Sequence, residues 1–156
     1  MAIGATIAGV MAVAAIVIIL LPLQSAPITN IRSTESCKGS ASCFSGTVTK
    51  IVDGDTLDVE NTRIRLALVN TPEIDEDWYG EAKSLTSELC PVGSKAVVDE
   101  DDGQTGGSYG RMIAKVSCAG KVLNEELLKA DMAEIFTNFC ATSEFRNEDW
   151  AREYGC

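Results

Sequence analysis

The chain has 156 residues, of which 46% are hydrophobic and 23% charged, a composition that suits one packed domain and excludes a disordered chain. It carries 13 basic and 23 acidic residues, a formal net charge of −10, and no histidine. The lack of imidazole excludes a histidine base, a histidine metal ligand and a Ser-His-Asp triad, so chemistry near neutral pH must come from carboxylates, lysines or metal-bound water.

The first segment of the chain is apolar. Residues 2–23 contain no charged residue and are dominated by Ala, Val, Ile and Leu. As a helix this run would be about 33 Å long, enough to cross a hydrocarbon core of about 30 Å. We therefore predict a transmembrane anchor over residues 1–24. A cleaved signal peptide is the alternative, disfavoured because no Lys or Arg precedes the apolar run and Pro27 follows its small-residue exit.

The side of the membrane on which the domain lies is indicated by two opposing signals. Arg32 and Lys38 follow the apolar run, which by the positive-inside rule favours a cytoplasmic domain. The six cysteines form an even set without the paired CxxC spacing of a zinc site, and disulfides persist in oxidising compartments. Because two basic residues are a weak signal, we predict an extracytoplasmic domain that is membrane-anchored, or secreted if the segment is cleaved.

Residues 25–44 are predicted to form a tether, since they are rich in Ser, Thr and Gly and lack hydrophobic periodicity. The folded domain is then predicted to span residues 45–156. It opens with strands over 47–52, 56–60 and 63–69, separated by the turns Asp53-Gly54 and Asn61-Thr62. Alternation in the third strand places one set of side chains on one face (Ile64, Leu66 and Leu68) and another on the opposite face (Arg63, Arg65 and Ala67).

The second half of the domain mixes helices and strands. Helical spacing predicts a helix over 79–89, which Pro91 prevents from continuing, and further helices over 122–129 and 143–154. Two more strands are predicted over 95–99 and 112–116, and the acidic run 99–102 is interpreted as a solvated loop. The sum is a β-rich α+β domain, a five-stranded Greek-key barrel of the OB-fold type with about three helices, preceded by the N-terminal transmembrane helix.

Three groups of residues carry the candidate chemistry: Asp53-Gly54-Asp55-Thr56, Arg65 to Glu73, and Tyr109-Gly110-Arg111. They supply oxygens for a hard metal ion, a spare carboxylate for a base, and two guanidinium groups for a phosphate. Each group has an ordinary structural explanation as a turn, a surface arginine or a loop start. Asp55, however, follows its turn, in a strand position where Asp is usually depleted.

In order and spacing, the three groups resemble the staphylococcal nuclease (thermonuclease) family over residues 46–139, and the helix start at residues 120–124 resembles that family too. The resemblance implies a Ca²⁺-dependent endonuclease that hydrolyses phosphodiester bonds of single-stranded or locally open DNA and RNA. It implies that Asp55, Asn70 and the main-chain carbonyl of Thr71 bind Ca²⁺. Asp53 is expected to support Asp55 without binding the ion itself.

The remaining roles follow the same resemblance. Glu73 is the candidate general base for the attacking water, and Arg65 and Arg111 are the candidate donors to the phosphate oxygens. Tyr109 is placed to stack an unpaired base. Trp78 and Tyr79 are candidates for the same contact, although packing at the start of a helix explains them better.

Departures from the family pattern lower the expected affinities. Asn70 stands where the best-known members carry a second metal-binding aspartate, which predicts weaker metal binding. Ser108 replaces a lysine, and Thr137 a tyrosine near the nucleotide pocket, so fewer groups hold a terminal phosphate. The net charge of −10 predicts low affinity for duplex nucleic acid.

Two other functions remain open on these grounds: a nuclease-like module that binds nucleic acid without cutting it, and a surface protein with a structural calcium site. A membrane contact through the N-terminal helix is expected. No protein partner is inferred, and the domain is expected to be monomeric.

The predicted strands and helices suggest some of the disulfide pairs. If strands 95–99 and 112–116 are antiparallel neighbours, Cys90 lies near Cys118 and can form a disulfide. Cys140 and Cys156 flank the last predicted helix and would be about 24 Å apart, beyond the roughly 7 Å that a disulfide allows. They are predicted to pair instead with Cys37 and Cys43, in an order left open.

Overall fold

A computed structural model describes Met1 and residues 37–156. The predicted anchor over residues 1–24 and the tether as far as residue 36 lie outside the described residues. Within the part that is described, no helix has both the length and the apolar character needed to cross a bilayer.

Five strands of residues 37–156 close a barrel. In chain order the elements are β1 (Cys43–Ile51), β2 (Thr56–Val59), β3 (Thr62–Leu66), β4 (Val69–Asn70), α1 (Tyr79–Leu89), β5 (Lys95–Glu100), β6 (Met112–Cys118), β7 (Lys121–Val122), α2 (Leu123–Lys129), β8 (Glu134–Ile135) and α3 (Asp149–Glu153). The order β3-β2-β1-β5-β6 is antiparallel throughout, and a parallel pairing of β3 with β6 closes the sheet. The predicted five-stranded barrel with three helices is confirmed.

The barrel interior is filled by β-branched and leucine side chains. Val48, Leu57, Ile64 and Val116 are fully buried and belong to one hydrophobic cluster. Strand β6 is buried on both faces from Ile113 onward, because the barrel covers one face and α2 contacts the strand from outside. Helix α2 therefore covers the outer face of β6 and extends the hydrophobic core.

One buried polar residue, Asn124, joins α2 to the barrel. Its Oδ1 accepts a hydrogen bond from the main-chain N–H of Val116 at 3.0 Å, and its Nδ2 donates to the carbonyl of Ala67 at 2.9 Å. A buried amide is stable only when its donors and acceptors are satisfied, which these contacts achieve. Because Ala67 lies in the turn after β3, Asn124 also holds the chain that leads into Asn70.

The third strand is shorter than predicted. It ends at Leu66, and Leu68 adopts a left-handed backbone conformation with φ of 61°. The predicted alternation of faces over 63–69 is therefore wrong at its end, where Ala67 and Leu68 are both buried. The turn redirects the chain into β4, which pairs with β8 through Val69↔Ile135 and Asn70↔Glu134.

The predicted helix over 143–154 is also wrong as a single helix. A 3₁₀ helix, Glu144–Asn147, begins after Ser143, whose side chain accepts a hydrogen bond from the N–H of Phe145. Glu148 is then extended, and α3 starts only at Asp149. Ser143 and Glu148 thus interrupt the helix that the hydrophobic spacing suggested.

This interruption changes the cysteine pairing. Cys140 and Cys156 form a disulfide with Cα atoms 5.4 Å apart, so the prediction that they cannot pair is wrong. The folded-back C-terminal segment brings them together, and Cys37 pairs with Cys43. The predicted Cys90–Cys118 bridge is formed, joining the end of α1 to the end of β6.

The acidic run 99–102 is not a solvated loop. Asp101 is fully buried and accepts hydrogen bonds from the N–H groups of Gly103 and Glu144. Asp99 forms an ion pair with Lys115 at 3.2 Å and accepts the N–H of Lys38, while Asp102 accepts the N–H groups of Ser40 and Ala41. The run fastens both the N-terminal and the C-terminal segments of the domain to β5.

Candidate active site

The three residue groups singled out in the sequence meet at one end of the barrel. The Asp53–Asp55 loop joins β1 to β2, residues 70–73 follow β4, and Tyr109–Arg111 precede β6. A cavity of about 450 Å³ opens there, and its lining includes five of the predicted residues: Arg65, Asn70, Glu73, Tyr109 and Arg111. Asp55 does not line this cavity but is bonded to Arg65.

Asp55 is a buried carboxylate, with 3% of its surface exposed. Its Oδ2 accepts the main-chain N–H of Thr71 at 2.9 Å, and its Oδ1 accepts the hydroxyl of Thr56 at 3.2 Å. The N–H of Asp55 donates to Oδ1 of Asp53, the supporting contact expected of that residue. Asp55 therefore links the first loop to the loop that carries Asn70 and Glu73.

Arg65 is held by the protein through three hydrogen bonds and one ion pair. Its Nη2 lies 2.9 Å from Asp55 Oδ2 and donates to Asn70 Oδ1 at 3.0 Å. Its Nη1 donates to the carbonyl oxygens of Leu66 and Val69. Among the described contacts only its Nε–H is unengaged, so the orientation of Arg65 is set before any substrate arrives.

Arg111 is held much less. Its Nε donates to the carbonyl of Ser108 at 3.1 Å, and its guanidinium carbon lies 5.8 Å from the centre of the Tyr109 ring. No contact within residues 37–156 engages its two terminal nitrogens. The two arginines, to which the sequence assigned one role, therefore differ: Arg111 has a free fork of donors, whereas Arg65 has a single free N–H.

Glu73 is exposed on the rim of the same cavity. Its main-chain N–H donates to the carboxylate of Glu76 at 2.8 Å, which holds the turn after Thr71 in place. Its own carboxylate makes no hydrogen bond or ion pair with any other described residue. It is a carboxylate available to a water molecule in the cavity.

The oxygens proposed as metal ligands converge. Asp55 Oδ2 and Asn70 Oδ1 each lie within 3.0 Å of the same nitrogen, Arg65 Nη2. The positively charged guanidinium therefore lies where both oxygens can contact a cation. Residues 37–156 contain no cluster of three or more acidic, cysteine or histidine side chains able to hold a metal ion. The donor set is accordingly one carboxylate, one amide and main-chain carbonyls.

Burial raises the pKa of Asp55 from 3.8 to about 6, against the lowering effects of the Arg65 guanidinium and the Thr71 N–H. The folded protein thus keeps a proton on Asp55 that the unfolded chain releases. The free energy of unfolding should therefore fall as pH rises from about 3.8 to about 6, and the contribution is lost above that window. At 1.36 kcal/mol per pH unit, its full size is about 3 kcal/mol.

We expect this window to be visible in Asp55→Asn. The stability of the wild type relative to the variant should decrease by up to about 3 kcal/mol between pH 4 and pH 6.5 and then stay constant. Urea unfolding at several pH values, without added divalent cation, measures it. Asp75→Asn, at an exposed carboxylate, is the matched control. A wild-type-minus-variant difference that does not change with pH contradicts the prediction.

The structure adds residues that the sequence reasoning missed. Phe136 and Phe139 line the cavity in an edge-to-face pair with ring centres 4.9 Å apart, and Gln104 lines it as well. Thr137, expected to replace a nucleotide-contacting tyrosine, is not part of the lining. In the sequence, the only sign of this aromatic wall is the pair of phenylalanines near Thr137. Two such residues usually indicate the hydrophobic core rather than a binding site.

Two other aromatic candidates lie elsewhere. Trp78 is 61% exposed and precedes α1, and it lines a second cavity with Asn70, Thr71 and Pro72. Tyr79 is the first residue of α1, and its ring lies 5.9 Å from the Lys83 ammonium. Tyr109, at 97% exposure, projects furthest into solvent beside the first cavity.

Much of the candidate site lies in a segment that matches a known protein family. Residues 63–153 match the family model described as staphylococcal nuclease homologue. The matched segment contains Arg65, Asn70, Glu73 and Arg111, while Asp53 and Asp55 precede it.

Two similar proteins come from Bacillus subtilis (strain 168). The chain is 30% identical to Endonuclease YncB over 111 residues, 65% of this chain and 53% of that protein. It is 32% identical to the SPbeta prophage-derived endonuclease YokF over 98 residues, 57% of this chain and 33% of that protein. The chain thus matches about half the length of the first and a third of the second.

Proposed function

Because this chain belongs to the staphylococcal nuclease family, we propose that it is a metal-dependent endonuclease that hydrolyses phosphodiester bonds of single-stranded or locally open DNA and RNA. The observation that carries the proposal is the convergence of Glu73, Arg65 and Arg111 on one cavity beside the oxygens of Asp55 and Asn70. This combination of a free carboxylate, a free guanidinium and a cation-holding pair of oxygens matches the needs of phosphodiester hydrolysis.

Binding of the phosphate falls mainly to Arg111. Its terminal nitrogens are free and can donate two parallel hydrogen bonds to the non-bridging phosphate oxygens. Arg65 adds its free Nε–H from the other side of the cavity and contributes a fixed positive charge. Both contacts strengthen as negative charge builds up on the phosphate oxygens in the transition state.

Proton transfer falls to Glu73. Its carboxylate is exposed to the cavity and free of protein partners, so it can accept a hydrogen bond from a water molecule and then take its proton. The main-chain bond to Glu76 fixes the turn that carries Glu73 at the cavity. Since the chain contains no histidine, no imidazole competes for this role.

A calcium ion suits the remaining residues. Asp55, Asn70 and the Thr71 carbonyl are hard oxygen donors of the kind that Ca²⁺ binds, and the first two already hold a positive nitrogen between them. When bound, such an ion would polarise the phosphate and neutralise part of its charge. With one carboxylate in the set, we expect the affinity for the ion to be modest.

The preference for open strands rests on aromatic side chains and charge. Tyr109 projects into solvent at the cavity, and the edge-to-face pair Phe136 and Phe139 forms another wall, so unpaired bases have surfaces on which to stack. A net charge of −10 does not favour an intact duplex, which binds mainly through released counterions.

Action outside the cytoplasm, with residues 1–24 as a membrane anchor or a cleaved signal, is part of the proposal. Three disulfides join the cysteines of residues 37–156 in pairs and leave none free. Such bonds persist in oxidising compartments.

The experiment that tests the function uses circular single-stranded DNA, which has no ends and is cut only by an endonuclease. The full chain, kept in a nonionic detergent because of its apolar segment, is incubated with the circle and with single-stranded RNA, in calcium or in chelator. We expect linear fragments in calcium and intact substrate in chelator. Cleavage that is equally fast in chelator contradicts the metal dependence.

The same experiment separates the two other functions. Binding of the circle without cleavage, under both conditions, would identify a nucleic-acid-binding module. A calcium-dependent rise in thermal stability without any binding of nucleic acid would identify a structural calcium site. Either result overturns the proposed endonuclease.

A further inference from the structure

A second groove lies between β1 and α1, outside the active site. Its volume is about 500 Å³, and it combines residues 49–51 of β1, the apolar residue Val92 and one face of the helix: Gly80, Lys83, Ser84 and Ser87. We call it the β1–α1 groove. None of these residues has a role in the chemistry described above.

The helical side of the groove is a continuous face of α1. Gly80, Lys83, Ser84 and Ser87 follow each other at intervals of three, one and three residues, which places them on one side of a helix. The buried residues Ala82 and Thr86 face the domain instead. A Cβ atom at Gly80 would meet nothing within 4 Å, so this end of the groove is open.

The groove collects positive charge that residues 37–156 neutralise only in part: Lys50 lies opposite Asp58 across β1 and β2, but Asp58 forms its ion pair with Arg63. Neither Lys50 nor Lys83 forms an ion pair with a carboxylate of residues 37–156, and the one recorded contact of the Lys83 ammonium is with the Tyr79 ring. By contrast, Lys121 and Lys129 pair with glutamates on α2, at 3.9 Å and 2.7 Å. In a chain of net charge −10, two unpaired lysines in one groove favour an anionic ligand.

Hydroxyl donors accompany the lysines. The side chains of Ser84 and Ser87 are exposed and make no hydrogen bond within the described part of the chain. Lysine and serine side chains are among the usual partners of phosphate oxygens in nucleic-acid complexes. The groove thus offers two ammonium and two hydroxyl donors, and no carboxylate belongs to its lining.

The groove is structurally joined to the active site. On the buried face of α1, Thr86 Oγ1 donates to the carbonyl of Gly54 at 2.5 Å, so the helix packs directly on the loop that presents Asp55. Lys50 precedes Asp55 by five residues, a chain length of at most about 17 Å.

We propose that the β1–α1 groove binds the phosphate backbone of the substrate strand, beyond the position of cleavage. The inference rests on the proposed nuclease function, and it adds a second contact region with a defined reach. A 12-nucleotide strand occupies both the cavity and the groove, whereas a trinucleotide occupies the cavity alone. The groove therefore raises the affinity for long single strands in a protein that is otherwise acidic.

The test is the double variant Lys50→Gln with Lys83→Gln, matched by Lys121→Gln with Lys129→Gln. Both remove two positive charges, but only the first removes them from the groove. Binding of a labelled 12-nucleotide DNA to the full chain is measured by fluorescence anisotropy in chelator, between 25 and 200 mM salt. Thermal midpoints are compared to show that both variants remain folded.

We expect the groove variant to bind the 12-mer about tenfold more weakly at the lowest salt. The slope of log affinity against log salt should decrease by about 1.4, or about 0.7 for each phosphate contact. A trinucleotide competitor should bind equally well to all three proteins, and the control variant should bind the 12-mer within about twofold of wild type. An unchanged slope in the groove variant, or an equal loss in the control, overturns the proposal.

Cleavage measured in parallel keeps the two proposals apart. If the wild type does not cut in calcium, the proposed function fails, while the salt slopes still report on the groove. If the wild type cuts and the groove variant retains the wild-type slope and affinity, the groove proposal alone fails.

Discussion

Replacing Glu73 by glutamine is expected to lower kcat on single-stranded DNA by about 10³-fold, within the range of about 10² to 10⁴ that a positioned general base contributes. The amide keeps the shape of the side chain but cannot take a proton from water. Because the Glu73 carboxylate makes no hydrogen bond or ion pair with other described residues, the fold and the affinity for substrate should change little. Single-turnover cleavage in calcium, together with binding measured in chelator, separates these effects.

Asp75→Asn is the control for this substitution. Asp75 lies in the same loop, is exposed, and loses the same charge. It should cleave at the wild-type rate within about twofold, since Asp75 is not part of the cavity lining and its carboxylate makes no hydrogen bond or ion pair with another described residue. A Glu73→Gln protein that retains more than a tenth of the wild-type kcat would show that the base lies elsewhere.

Replacing Arg111 by alanine is expected to have the next largest effect, a loss of about 10² to 10³ in kcat/KM, the size found when one preorganised donor to a developing oxyanion is removed. The reason is the free fork of its guanidinium, since only Nε is engaged, by the Ser108 carbonyl. Arg111→Lys should recover only a small part of the loss, because an ammonium cannot donate two parallel hydrogen bonds.

Arg146→Ala is the matched control. Arg146 donates one hydrogen bond to the Ala141 carbonyl at 3.2 Å and lies outside the cavity lining. Its removal should leave kcat/KM within about twofold of wild type. Equal losses in the two alanine variants would mean that overall charge, rather than a contact with the reacting phosphate, explains the effect.

The difference between Arg65 and Arg111 shows where residue types alone are insufficient. In the sequence both are arginines next to the expected loops, and both were assigned to the phosphate. In the structure Arg65 is bonded to Asp55, Asn70 and two carbonyl oxygens. Leu66, Val69 and Asn70 lie within five residues of Arg65 in the chain, and Asp55 lies in the loop before β2. The guanidinium is therefore placed by the turn from β3 into β4 and by the pairing of β2 with β3.

The errors in the sequence analysis have two causes, one local and one long-range. Helical spacing over 143–154 ignored the ability of Ser143 to accept the N–H of Phe145 and begin a separate 3₁₀ turn. The acidic run 99–102 was interpreted as a solvated loop because runs of charged residues usually are, and its distant partners could not be read from the sequence. Its partners are Lys38, Ser40, Ala41 and Glu144, about 40 to 60 residues away in the chain.

By itself, the sequence determined the chemistry available and the local elements. The residue types of Asp55, Asn70, Glu73 and Arg111 were readable from short motifs, and α1 was bounded correctly because its periodicity and Pro91 lie within a few residues of each other. Such signals depend on neighbours in the chain, whose geometry is nearly fixed by backbone sterics.

The tertiary structure decided which of those groups are free to act. It buried Asp55 beneath Arg65, left Glu73 and the fork of Arg111 open to the cavity, and brought Phe136 and Phe139 to its wall. It also paired Cys140 with Cys156. Each outcome depends on contacts made when the barrel closes and the C-terminal segment folds back, and such long-range packing leaves no periodic signal in the sequence.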